Sequence, residues 1–107
     1  MQLLKKQTVD DALYRSIEKW QRNAFCTDIE ETLTGQGHCP LCALFLGSDC
    51  KGCPVAMETG QILCRGTSYN RAYDVKIEVR EGKALIGEFS RHAQNYTDFL
   101  DRIWRKR

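Results

Sequence analysis

Five of the six cysteines, Cys39, Cys42, Cys50, Cys53 and Cys64, crowd one short segment, and the first four read C-x2-C-x7-C-x2-C. A CxxC turn presents both sulfurs on one side of the backbone, and two such turns complete a tetrahedron, so the pattern predicts a thiolate metal site. Zn²⁺ and iron–sulfur centres both favour soft sulfur ligands. The expectation is Zn²⁺ held by four of these five residues, with Cys64 competing for a place or standing spare. An iron–sulfur cluster is the alternative, although the spacing departs from the C-x2-C-x2-C run of ferredoxins. Cys39-Pro40-Leu41-Cys42 also has the form of a redox dithiol, but without the preceding strand of a thioredoxin-like fold. His38 is adjacent to Cys39, and neighbouring residues rarely both reach one ion, so it reads as a surface group. Cys26, upstream beside Phe25, reads as a small buried thiol.

Other chemistry is sparse. His92 sits where a helical face turns from Phe89 toward Tyr96 and reads as structural. No Ser–His–Asp grouping, HExxH motif or phosphate-binding glycine loop is present. Gly66-Thr67-Ser68-Tyr69 fits a turn leading into a capped helix. The pairs Asp10/Asp11 and Glu30/Glu31 are adjacent rather than facing, which argues against a carboxylate dyad. No catalytic residue is therefore assigned.

At 107 residues the chain is expected to be one domain, with a core that would benefit from a cross-link. The N-terminus lacks an apolar stretch of signal-peptide length, and no later run approaches a membrane span. That favours the cytoplasm, where CxxC pairs more often bind metal or do redox work than form stable disulfides. The formal charge is only +2, with its excess at Arg102, Arg105, Lys106 and Arg107. Cations there suit the negative end of a C-terminal helix. They are also available to phosphate or acidic protein, and Arg71, Arg80 and Arg91 with Tyr14, Tyr69 and Tyr73 extend that possibility to nucleic acid.

The positioning elements are helical. Val9, Ala12 or Leu13, Ile17, Trp20 and Ala24 recur at helical spacing behind a Thr8/Asp11 capping box, and Trp20 anchors the core. A second segment, Thr27–Leu33, repeats the signal with Thr27 as cap, and Thr34–Gly37 stops it. Ala43–Leu46 predicts a short helix carrying Phe45 inward, and Gly47–Asp49 a turn. Pro54 opens another short helix through Thr59 that Gly60 ends. Tyr73, Val75, Ile77 and Val79 alternate like a strand, but Ala72, Val75, Val79, Gly82, Ile86, Phe89, Ala93, Tyr96, Leu100 and Ile103 match helical spacing over a longer span. Helix is therefore favoured with Ser68 as its N-cap, with a break near Gly82 or Gly87 and a secure helix over 88–105. Asp98–Arg102 and Asp101–Arg105 are expected i,i+4 pairs.

The run Cys39-Pro-Leu-Cys42 … Cys50-Lys-Gly-Cys53-Pro54-Val55 … Thr59-Gly60 … Cys64-x-Gly-Thr67-Ser68-Tyr69, with Ser16-Ile-Glu-Lys-Trp20 upstream, resembles small uncharacterised cysteine-rich proteins of phages and prophages. The resemblance covers residues 16–73 and implies that Trp20 and the five cysteines form one structural unit. It implies no activity. Here Ser68 stands where that pattern has proline, and Cys26 where it has a small residue.

The resulting expectation is a mostly α fold: a small helical domain stapled by a cysteine-rich metal-binding or disulfide segment. N-terminal helices occupy 8–34, the cysteine segment 35–67 and a C-terminal helical region 68–107. The expected function is a metal-stabilised interaction protein whose partner is protein or nucleic acid and not a membrane. An iron–sulfur or thiol redox protein is the alternative.

Overall fold

The computed structural model describes residues 6–34, 38–45, 50, 52–61, 64 and 66–107. The chain is all-α among them. Helix α1 spans Lys6–Phe25, α2 Pro40–Phe45, α3 Pro54–Thr59, α4 Ser68–Arg80 and α5 Ile86–Lys106, with a 3₁₀ turn at Ile29–Glu31 after α1. The two long helices α1 and α5 pack along each other. Helix α4 lies against α5, α2 against α1, and α3 against α5.

Periodicity dictates this arrangement. On α5, Phe89, Ala93, Tyr96, Leu100 and Ile103 step by three and four residues and are all buried. On α1, Val9, Leu13, Ser16 and Trp20 do the same, with Ala12 beside them, and all are buried. Ala12 and Ala93 are wholly inaccessible, and such small side chains let helix backbones approach closely. Trp20, 1 % exposed, meets Tyr96 edge-on at 5.1 Å between ring centroids and Tyr69 at 5.6 Å. Edge-to-face pairs add favourable quadrupole contacts to a large buried area. This aromatic knot joins α1, α4 and α5.

The expected cysteine staple is corrected here. All six cysteines are free thiols, and the long helices close on one another through Trp20, Tyr96, Phe89 and Leu100. Burial along α1 and α5 supplies the cohesion that a cross-link was expected to provide.

Several boundaries also move. Thr8 lies inside α1 rather than capping it. In the second segment the cap is Asp28, whose carboxylate accepts from the Glu30 N–H at 3.0 Å, and only a 3₁₀ turn follows. The segment 68–80 is helix, with Tyr73 and Ile77 exposed, because alternation over four residues is outweighed by the longer three-and-four pattern. Thr67, not Ser68, caps α4 and accepts from the Tyr69 N–H at 3.2 Å. Gly82 takes a left-handed φ of 74°, and the Lys83 N–H closes back onto the Glu78 carbonyl at 2.8 Å, which separates α4 from α5. Pro54 opens α3 and left-handed Gly60 ends it, and Phe45 is buried, as the sequence predicts. The stop at Gly35–Gly37 and the turn at Gly47–Asp49 lie outside the described residues.

Two buried polar side chains hold the connection after α1. Asn23, 2 % exposed, accepts from the Leu33 N–H and donates to the Leu33 carbonyl, both at 2.9 Å. Lys76 of α4 donates to the Thr32 carbonyl at 2.9 Å, and Arg80 makes a two-point contact with Glu30 at 2.7 and 2.9 Å. Burial lowers the Lys76 pKa, with the nearby Arg80 charge acting in the same direction. Asn23→Ala removes both bonds and leaves the part-buried Leu33 N–H and carbonyl without that partner, so it is expected to cost about 1–2 kcal/mol in urea unfolding. A loss below about 0.5 kcal/mol would show that water replaces the side chain.

Candidate functional site

All five clustered cysteines line one small cavity of about 50 Å³, together with Leu41, Phe45, Ala56 and Tyr69. Each arrives by a local device. Cys39 precedes α2, and its carbonyl accepts the Ala43 N–H at 3.1 Å. Cys42 is the third residue of α2, and its backbone N–H points at the Cys39 sulfur at 3.3 Å. Cys53 occupies the cap position of α3, where its carbonyl accepts from Met57 at 2.9 Å.

Cys50 and Cys64 are turned differently. Both have left-handed backbones, with φ of 66° and 57°. For a residue with a Cβ that conformation costs about 1–2 kcal/mol. The strain at Cys50 is held by its N–H to the Phe45 carbonyl at 2.9 Å. At Cys64, the carbonyl accepts the Thr67 hydroxyl at 2.6 Å. Gly52 faces the Phe45 ring closely, since a Cβ there would stand 3.3 Å from it. Strained non-glycine residues concentrate at sites that use them, and both such residues among those described are cavity cysteines.

The electrostatics divide the thiols. Cys39 is held down to about 6, first because the Cys42 thiol donates to its sulfur and further by backbone N–H groups and the Lys19 charge. Cys42 moves strongly upward, since its proton is the one shared with Cys39. Burial pushes Cys64 up to about 11, against the Tyr96 hydroxyl, which donates to its sulfur at 3.5 Å. Burial also raises Cys53. Cys39 is therefore shifted toward the thiolate, while Cys42, Cys53 and Cys64 are all shifted toward the thiol.

It is not an arrangement for a metal. Among the described residues, no group of three or more His, Cys, Asp or Glu side chains is placed to hold an ion. That overturns the expected Zn²⁺ site, its iron–sulfur alternative and the description of the chain as metal-binding. The reason is geometric. The Cys39 sulfur is engaged by the Cys42 thiol and backbone N–H, and the Cys64 sulfur by the Tyr96 hydroxyl. Spacing in sequence brought the five residues to one cavity without setting the directions of their side chains.

The remaining candidates fall elsewhere. His38 is exposed, while Cys26 and His92 are half-buried, and none of the three lines the cavity. Burial lowers the His92 pKa, with Arg91 and Arg71 adding to it. Three of the four C-terminal cations are paired: Arg105 to Asp101 at 2.8 Å, Lys106 to Glu58 at 2.7 Å, and Arg107 to Asp10, while the expected Asp98–Arg102 pair is not among the described ion pairs. Asp98 accepts from Gln94 at 3.0 Å. Tyr69 is packed in the aromatic knot, and Tyr14 pairs with Trp104 at 5.8 Å. Sequence reasoning missed Lys19 and Tyr96 as members of the thiol site. Their only signal was position, Lys19 preceding the anchoring Trp20 and Tyr96 lying on the buried stripe of α5.

Among the described residues, no helix is long and apolar enough to cross a membrane. No family model matches the chain, and no curated protein or solved structure does either.

Proposed function

We propose that this chain is a thiol–disulfide exchange protein in which Cys39 is the nucleophile and Cys42 the resolving thiol. The observation that supports this is the Cys39 sulfur itself, receiving the Cys42 N–H at 3.3 Å and the Cys42 thiol proton, at the wall of a cavity. Thiolates, not thiols, attack disulfides, and a thiol with a pKa near ambient pH attacks best.

The Cys39 thiolate attacks one sulfur of a substrate disulfide. That S–S bond breaks, the departing thiolate takes a proton from water, and Cys39 is left in a mixed disulfide. Cys42 then loses its proton to solvent and attacks the Cys39 sulfur. The Cys39–Cys42 disulfide forms and the second substrate thiolate leaves. Two electrons pass from the dithiol to the substrate. A reducing compartment such as the cytoplasm suits this direction, because it regenerates the dithiol.

A role in binding nucleic acid has less beneath it, since Arg105, Lys106 and Arg107 already face carboxylates.

The test is capture of the intermediate. Reduced protein is mixed with a small disulfide without air, quenched with acid and analysed by peptide mass spectrometry. The wild type is expected to yield a Cys39–Cys42 disulfide, Cys42→Ser a stable mixed disulfide on Cys39, and Cys39→Ser neither. Exchange at Cys39 no faster than at Cys26 would sink the proposal.

A further inference from the structure

Lys19 takes no part in the electron transfer just described, yet it is fixed beside it. Its ammonium donates to the His38 carbonyl at 2.9 Å, one residue before Cys39, and lies 5.2 Å from the centroid of the Trp20 ring. Trp20 is 1 % exposed, so the ring beneath the lysine stem is held by the packed core. A side chain that ordinarily roams is thus tethered at two points. Both tethers are uncharged. Among the described ion pairs, none takes Lys19. The groups whose charges bear on it are the thiols of Cys39, Cys42 and Cys64, while burial alone weakens its hold on the proton. The lysine is half-buried, and its contact with the His38 carbonyl lies on its exposed side.

A fixed cation beside a nucleophile, paired with no carboxylate among the described ion pairs, does more than stabilise the thiolate. It raises the local concentration of anions and disfavours cations by the same field.

We infer that Lys19 is a specificity-determining residue that selects disulfides bearing carboxylates near the scissile sulfur over disulfides bearing amines. The inference rests on the exchange reaction proposed above. Its chemical class of substrate is an acidic disulfide, whether a small peptide or an acidic protein segment.

The experiment compares two probes on the reduced full chain: glutathione disulfide, which is anionic, and cystamine, which is dicationic. The ratio of their rates removes any change in the amount of Cys39 thiolate, because both probes meet the same nucleophile. In low salt the wild type is expected to favour glutathione disulfide, and Lys19→Gln to lower that ratio by about threefold to tenfold. Lys19→Arg, which keeps the charge, should retain most of the preference. Added salt should narrow the wild-type ratio, a measurement that needs no variant.

Equal slowing with both probes in Lys19→Gln would overturn the inference and leave exchange at Cys39 intact. So would a wild-type ratio indifferent to salt. A wild type unreactive toward both probes would remove the exchange reaction, and the inference with it.

Discussion

Iodoacetamide is expected to label Cys39 ahead of every other cysteine, with a rate that rises through an inflection near pH 6. The group is held down to about 6 against an ordinary 9.0, first by the thiol proton of Cys42 and then by backbone N–H groups and Lys19. The sign follows from which form reacts. An acid with a depressed pKa is already ionised at neutral pH, and its reactivity falls only as the pH drops through the lowered value. At pH 7 such a thiol is about 90 % thiolate, against about 1 % for one titrating near 9. Lower basicity makes each thiolate less nucleophilic, by a factor of ~20 at a Brønsted slope of about 0.45. The net advantage is about fourfold at pH 7 and about fortyfold at pH 5. Acid is therefore the discriminating condition.

Labelling resolved by peptide mass spectrometry from pH 4 to 10 checks this. Cys42→Ser retains a hydroxyl donor and should shift the inflection modestly, whereas Cys42→Ala removes the donor and should move it upward by more. A single inflection near 9 shared by all six cysteines would show that Cys39 is an ordinary thiol. Stability is a poorer readout of the same shift. Ionisation of Cys39 favours the folded state above pH 9 and that contribution is lost as pH falls from about 9 to about 6, but the raised pKa values of Cys42, Cys53 and Cys64 act in the opposite direction.

Trp20→Ala is expected to be the most damaging single truncation in the core. The indole is 1 % exposed and contacts Tyr69 and Tyr96 edge-on. Removing a fully buried tryptophan costs about 3–5 kcal/mol from lost transfer energy and the cavity left behind. For a domain whose whole stability is of order 5–15 kcal/mol, that is a large fraction. Tyr69 lines the thiol cavity and Lys19 rests over the same ring, so loss of the indole should also loosen the site. Urea unfolding measures the first effect, and faster labelling of the buried Cys50 and Cys53 measures the second. A loss below about 1 kcal/mol would mean that α1 and α5 hold together without the aromatic knot. Trp20→Phe should retain much of the packing and separate burial from the identity of the ring.

Helices were legible because helix formation is written in local periodicity. The three-and-four steps from Phe89 to Ile103, the Pro54 start, the Gly60 stop and the break at Gly82 all act within a few residues of themselves. Trp20 and Phe45 could be placed inside for the same reason. Caps were less legible. Thr8, Thr27 and Ser68 have suitable side chains, but the cap is whichever neighbour takes an extended backbone, and that was Asp28 and Thr67.

The thiol site shows where local information stops. Cysteine spacing by itself determined that Cys39, Cys42, Cys50, Cys53 and Cys64 would share one region, and they line one cavity. It did not determine whether their sulfurs converge. That depends on backbone torsions, such as the left-handed turns at Cys50 and Cys64, and on competing partners, such as Tyr96, which lies 32 residues from Cys64. Nor does spacing place a lysine of α1 beside Cys39, across 19 residues to its anchor at His38. The sequence alone determined a mostly helical body in which five cysteines share one region. Only the tertiary structure decided that Cys39 is held below the other shifted thiols and that no metal-holding group forms among the described residues, because both depend on groups that folding brings near each sulfur.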